Sequence, residues 1–148
     1  MTKSECLRIE SLARDAVCQE LSCAGSASKL QVGPDGPTHE FDIYAPGVVI
    51  GGVTTGTLTT SGGRRNTGAC DRAASELLWL SLWPGTEQRT HVLTDKPLAE
   101  WLAKRYARAP LTTQITVRYY SAANNALTTI GKLGPNNSSK PTPLRGAT

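Results

Sequence analysis

The stretch HEFDIYAPGVVIGGVTT, residues 39–55, decides the fold. In HEFDIY, polar and apolar residues alternate, which predicts a β-strand with His39, Phe41 and Ile43 on one face. The segment Ala45-Pro46-Gly47 closes a hairpin. The next run, VVIGGV, is apolar without alternation, as is typical of a central strand covered on both faces. The sequence therefore predicts two adjacent strands at the centre of a sheet.

Three helices and three further strands are predicted around this hairpin. The spacing of apolar residues predicts an amphipathic helix over residues 3–24 and a second helix over residues 70–83. The segment DKPLAEWLAKRYA is predicted to form a third helix with Asp95 as its N-cap. The runs SKLQV, RTHVLT and LTTQITVRYY read as strands. The order helix, three strands, helix, strand, helix, strand predicts an α/β domain over residues 1–120, with a mixed central sheet of four to five strands flanked by helices.

The C-terminal part of the chain differs in composition from the rest. Residues 121–148 are rich in Asn, Thr, Ser, Gly and Pro and show no periodicity, which predicts a flexible basic tail. The apolar run LLWLSLW is too short to span a membrane, and the start MTKSECLRIE lacks the apolar segment of a signal peptide. We therefore expect a cytoplasmic protein without a membrane partner. The four cysteines lack zinc-site spacing and are expected to be reduced thiols.

Charge is distributed unevenly along the chain. The net charge is +4, yet all twelve acidic residues lie within residues 1–100, whereas residues 101–148 hold seven basic residues and no acid. A basic segment of this kind favours an anionic partner such as DNA or RNA, or else forms a solvated surface that aids solubility. The candidate nucleic-acid contacts are two arginines in the long polar loop at 56–68 and three cations near the third helix: Arg64, Arg65, Lys104, Arg105 and Arg108.

The segment from residue 39 to residue 106 resembles the PD-(D/E)xK nuclease superfamily, which has the restriction-endonuclease-like fold. The resemblance lies in the order HEFDIY, turn, VVIGGVT, loop, DRAASELLWLSLW, HVLTD. In that family, a strand Asp and a carboxylate on the next strand bind Mg²⁺, a Lys two residues later assists the attacking water, and a Glu on the first helix often joins the site. The resemblance implies that Asp42 is the first acid and that Glu20 or Glu10 is the helix Glu. Gly52 and Thr54 stand at the positions of the second acid and the lysine.

Three functions are compatible with these residues. The first is a degenerate nuclease fold that binds nucleic acid or a partner protein without cleavage and needs no cofactor. The second is an active Mg²⁺-dependent nuclease with relocated ligands, in which Asp42 and Glu40 hold the metal and Arg64 or Arg65 replaces the lysine. The third is a protein-interaction module that acts as a homodimer.

The homodimer hypothesis rests on the outer face of the second helix. Its inner face already carries Cys70, Leu77 and other apolar residues, so the opposite face is predicted to lie in an interface. That face comprises Arg72, Glu76, Trp79 and Trp83. The alternative is that the C-terminal segment covers the two indoles.

His39 and His91 lie in apolar strands and are expected to be structural.

Overall fold

The computed structural model describes residues 1–135, which form a six-stranded mixed sheet flanked by three helices. The α/β class predicted from the sequence is confirmed, and the sheet has one strand more than the upper limit predicted. The elements in chain order are α1 (Lys3–Glu20), β1 (Ser26–Gln31), β2 (Thr38–Ala45), β3 (Val49–Thr54), α2 (Thr67–Leu82), β4 (Gln88–Leu93), α3 (Lys96–Arg105), β5 (Ile115–Ser121) and β6 (Ala126–Leu133).

The strands lie in the sheet in the same order as in the chain. The first three strands form an antiparallel meander, β3, β4 and β5 run parallel, and β6 returns antiparallel to β5. The two parallel connections require crossovers, and these are supplied by α2 and α3. Strand β3 is buried at all six positions, as predicted for a central strand.

Apolar side chains form one core on each face of the sheet. Phe41, Ile50 and Leu77 belong to the core under α2 and α3, whereas Val17 and Ile43 belong to the core under α1. The first and second helices therefore cover opposite faces of the sheet, and residues of both helices line a cavity at one end of β2 and β3. Among residues 1–135, no helix has the length and apolar character needed to cross a membrane.

A β-bulge in β2 changes which side chains face which core. Ser28 pairs with Phe41 and Ser26 pairs with Tyr44, so β2 advances three residues where β1 advances two. The extra residue breaks the alternation, and Phe41 and Ile43 consequently enter different cores. The prediction that both lie on one face is therefore wrong, because alternation holds only in a regular strand.

The folded domain extends beyond residue 120. Residues 126–133 form β6, which pairs with β5 from Ser121↔Ala126 to Ile115↔Leu133. The prediction of a flexible tail over residues 121–148 is therefore wrong for this strand, whose sequence gives a weak signal because only one of its eight residues is fully buried. Residues 136–148 lie outside the described part of the chain.

Candidate functional site

Asp42 lies at the bulge, where the strands β2 and β3 separate. The last pairing of β2 with β3 on this side is Ile43↔Gly51, and beyond it the carboxylate Oδ2 of Asp42 accepts a hydrogen bond from the backbone N–H of Val53 at 2.7 Å. Burial raises the pKa of Asp42, the Val53 N–H acts against that shift, and the charge of Glu40 adds to it. Arg14 of α1 donates to the backbone carbonyl of Asp42 at 2.9 Å, which holds α1 beside the site.

The carboxyl group of Glu76 occupies the space beside Gly52. A Cβ atom built at Gly52 would lie 2.3 Å from Cδ of Glu76, so no other residue fits there unless Glu76 moves. Gly52, where the resemblance implies the second acid, thus has a carboxyl group from α2 beside it. Burial, together with the negative charge of Asp42, raises the pKa of Glu76 to about 8.

His39 is the hydrogen-bond partner of Glu76. The Nε2 atom of His39 and Oε1 of Glu76 are 3.1 Å apart, whereas the buried Oε2 of Glu76 has no partner within the described chain. Burial lowers the pKa of His39. A raised pKa for Glu76 and a lowered pKa for His39 favour an uncharged pair at neutral pH, in which a protonated Glu76 carboxyl can donate to Nε2 of His39.

Thr54, where the resemblance implies a lysine, belongs to an uncharged polar pair. Thr54 Oγ1 and His91 Nε2 are 2.8 Å apart, and both side chains are buried. Burial lowers the pKa of His91 to about 3, so this histidine is neutral. Its Nδ1 atom has no partner in the described chain, as expected if Nε2–H donates to Thr54 and only a lone pair is left unpaired. The prediction that His91 is structural fits this arrangement.

A cavity of about 300 Å³ lies over these residues. Glu10 of α1 reaches it, and its pKa is raised by burial and by the charge of Asp42. Glu20, the other candidate for the helix Glu, is at a different place, because Arg118 of β5 donates to its two carboxylate oxygens at 2.5 and 2.7 Å. Arg118 lowers the pKa of Glu20, and Glu20 is thus a structural ion-pair partner outside the site. The lining residues include Glu10, His39, Thr54, Arg72 and Glu76.

The carboxylates around this cavity do not form a metal centre in the structure. Within residues 1–135, no three His, Cys, Asp or Glu side chains are arranged to hold a metal ion. Glu40, predicted as the second metal ligand beside Asp42, is exposed on β2. The cation nearest the cavity is also different from the prediction, since Arg72 lines it and Arg65 lies against Trp101.

The outer face of α2 packs against β2 in the same chain. Trp79 stacks on the ring of His39 with centroids 4.4 Å apart, and Trp83 meets Phe41 edge-on at 5.8 Å. Trp83 also donates from Nε1 to Oε1 of Glu87 at 2.9 Å. The premise that the two indoles have no core partner is wrong, because β2 lies directly beneath them. The dimer predicted from Arg72, Glu76, Trp79 and Trp83 loses its main structural argument.

The predicted nucleic-acid contacts include two arginines that meet at one aromatic side chain. Cζ of Arg65 lies 5.9 Å from the ring centroid of Trp101, and Cζ of Arg105 lies 5.8 Å from it. Arg105 is also 5.8 Å from the ring centroid of Tyr106. We refer to Arg65, Trp101, Arg105 and Tyr106 as the Trp101 cluster. The remaining predicted cations, Arg64, Lys104 and Arg108, are exposed beside it in sequence.

The loop of residues 55–66, here called the arginine loop, is tied to the start of α3. One oxygen of Asp95, Oδ2, accepts from the backbone N–H of Leu58 at 2.9 Å and from that of Leu98 at 3.1 Å. The loop itself turns back through a bridge between Thr59 and Arg65. This anchoring places Arg65 against the face of α3 that carries Trp101.

Sequence reasoning missed two features of the site. The first is Glu76 beside Gly52, which depends on the packing of α2 over β3 and has no local signal. The second is Trp101, although its spacing of four residues from Arg105 on a helix was available as a signal.

No family model matches the chain, and no curated protein or solved structure is significantly similar to it.

Proposed function

We propose that this chain is a nucleic-acid-binding protein whose α/β fold carries a degenerate, non-cleaving nuclease site. The observation that carries the proposal is the convergence of Arg65 and Arg105 on Trp101. These residues come from a loop and a helix that are 40 positions apart in sequence, yet they form one exposed basic and aromatic surface.

This surface has the chemistry that nucleic acids require. Arginine contacts phosphates through a planar, always charged group with several donors, and it also stacks on aromatic and base rings. Three more exposed cations, Arg64, Lys104 and Arg108, adjoin the Trp101 cluster in sequence and add positive charge. No acidic residue follows Glu100, so the C-terminal third of the chain adds no charge repulsion toward phosphates.

The site around Asp42 supports binding without cleavage. Hydrolysis of a phosphodiester by this family's chemistry requires carboxylates that are ionised and free to bind a cation. Here the raised pKa of Glu76 favours its protonated form at neutral pH, His39 is its hydrogen-bond partner, and Asp42 accepts from the Val53 N–H. Thr54 at the lysine position pairs with a neutral His91 and offers no positive charge.

A second candidate function is a metal-dependent nuclease with a relocated acid. The observation in its favour is that the Glu76 carboxyl fills the space beside Gly52. This carboxyl is close enough to Asp42 for the charge of Asp42 to raise the pKa of Glu76. Glu10 and Arg72 reach the same cavity. In this candidate, Asp42, Glu76 and Glu10 would have to move closer together to provide the oxygen ligands of a divalent cation, because the structure does not arrange them as a metal site.

Binding and cleavage assays separate the two candidates. The purified chain is titrated into fluorescein-labelled DNA and RNA, and binding is followed by anisotropy in the absence of divalent cations. The same substrates are then incubated with the chain in Mg²⁺ or Mn²⁺ and resolved on a denaturing gel. The proposed function predicts binding and intact substrates. Cleavage that is lost in both Asp42→Ala and Glu76→Gln would establish the second candidate, and the absence of binding to any nucleic acid would overturn the first.

A further inference from the structure

Helix α3 presents two neighbouring exposed faces. Trp101 and Arg105 are four residues apart and share one face, whereas Lys96, Glu100 and Lys104 share the next face at the same spacing. The second face looks toward β6, because a Cβ atom at Gly131 would lie 3.1 Å from Cβ of Ala103. The Trp101 cluster and the side facing β6 are therefore separated by about 100° around one helix.

A groove of about 540 Å³ runs between α3 and β6. Three lysines line it, one at the first turn of α3, one at its last turn and one on β6, and a single acidic residue, Glu100, opposes them. Two threonines of β6 add hydroxyl groups to the floor. Strand β6 is at the edge of the sheet, so its outer side is open along the groove. The residues that matter are Lys96, Lys104, Lys132, Thr128 and Thr129.

We propose that the ligand of this surface is a single-stranded nucleic acid, with bases stacked at the Trp101 cluster and phosphates along the groove between α3 and β6. This inference rests on the proposed function and specifies its substrate. A duplex keeps its bases paired and stacked inside, so it offers phosphates to the lysines but no base face to Trp101. A single strand offers both at once, and such sites combine a basic groove with aromatic stacking platforms.

The arginines at Trp101 allow a base to enter beside the ring. The guanidinium carbons of Arg65 and Arg105 lie 5.9 and 5.8 Å from the Trp101 ring centroid. Both arginines are exposed, and their flexible side chains can move aside to admit a base. Arg65 or Arg105 then stacks on the outer face of that base.

The experiment compares single strands with a duplex on the intact chain. Anisotropy titrations use a fluorescein-labelled 20-nucleotide DNA of mixed sequence, the RNA of the same sequence, and the DNA annealed to its complement. We expect at least tenfold tighter binding of a single strand than of the duplex. Trp101→Ala is expected to weaken single-strand binding about 5- to 150-fold, the usual range for one stacked base.

A second variant keeps the test valid if the loss of the half-buried Trp101 ring disturbs the fold. Lys104→Ala/Lys132→Ala changes only exposed side chains of the groove and is expected to lower the slope of log Kobs against log[salt] by about 1.4, as for two lost contacts to single-strand phosphates. The matched control is Arg8→Ala/Lys29→Ala, which removes the same charge from exposed positions on α1 and β1.

The outcomes separate this inference from the function on which it rests. Duplex binding as tight as single-strand binding, or a groove variant no weaker than its control, would overturn the single-strand assignment and leave nucleic-acid binding standing. An absence of binding to all three oligonucleotides would overturn both. Tighter binding of the DNA strand than of the RNA strand, or the reverse, would identify which single-stranded nucleic acid is the ligand.

Discussion

The carboxylate of Asp95 accepts a hydrogen bond from the backbone N–H of Leu58 at 2.9 Å, and the same oxygen caps α3 through the N–H of Leu98. One side chain thus starts the helix that carries Trp101 and also holds the loop that carries Arg65. The Trp101 cluster depends on this anchor as well as on its own contacts.

Asp95→Ala is expected to lower the free energy of unfolding by about 1 to 3 kcal/mol, since it removes an N-cap and leaves the Leu58 N–H unpaired. It is also expected to weaken nucleic-acid binding, because the arginine loop is released from α3. Urea unfolding and anisotropy measure the two effects. The control is Thr2→Ala, which removes the N-cap of α1 and should affect stability alone. Equal binding by Asp95→Ala and Thr2→Ala would contradict the role of the anchor.

The pair of Glu76 and His39 predicts how stability depends on pH. The pKa of Glu76 is raised from 4.5 to about 8 on folding, so its contribution to stability is complete below about pH 4.5 and is lost as the pH rises through about 8. The pKa of His39 is lowered from 6.5 on folding, so His39 makes stability rise with pH. This opposite effect is confined to pH values below about 6.5. Between pH 6.5 and 8, stability should therefore fall with a slope of at most about 1.4 kcal/mol per pH unit.

Glu76→Gln removes the titrating group and keeps a hydrogen-bonding side chain of the same size. We expect this variant to show a flatter dependence of the free energy of unfolding on pH between 6.5 and 8, and to be more stable than the wild type at pH 8. Asp71→Asn, at an exposed position of α2, is the control and should leave the slope unchanged. A wild-type stability that does not fall over this range would show that Glu76 is ionised in the folded chain.

The close approach of Gly52 to Glu76 predicts a specific rescue. Gly52→Ala brings a Cβ atom into a clash with Cδ of Glu76 and is expected to cost about 1 to 3 kcal/mol, as for other overpacked sites. Glu76→Ala in the same chain should relieve that clash, so the two changes should be non-additive in urea unfolding. Gly62→Ala, where the nearest atom is 3.8 Å away, is the control. Additive costs for Gly52→Ala and Glu76→Ala would mean that the two residues are not in contact.

Much of the fold could be predicted from local patterns. The hairpin of β2 and β3, the burial of β3, the three helices and the Asp95 cap all follow from periodicity and capping residues. Strand β6 could not be predicted, because it is an edge strand with only one fully buried residue and its sequence therefore lacks the alternation that marks a half-buried strand.

The candidate site was harder to predict than the fold. The bulge in β2 sends Phe41 and Ile43 to opposite faces, and no residue in HEFDIY signals it. Glu76 was assigned to an outer helix face because helical spacing separates faces but does not reveal that β2 covers this one. Contacts between α2 and β2 span about 40 residues, and such contacts leave no mark in the local sequence.

The salt dependence of binding in Arg65→Ala/Arg105→Ala tests the central claim most directly. These substitutions remove the two exposed guanidinium groups that meet at Trp101 and leave the ring in place. We predict weaker binding to single-stranded DNA or RNA and a decrease of about 0.7 in the slope of log Kobs against log[salt] relative to the wild type, as for one arginine that contacts a phosphate while the other stacks on a base. The control Arg8→Ala/Lys29→Ala should keep both the affinity and the slope. Identical salt dependence in the wild type, the Arg65/Arg105 variant and the control would contradict the claim that nucleic acid binds at the Trp101 cluster.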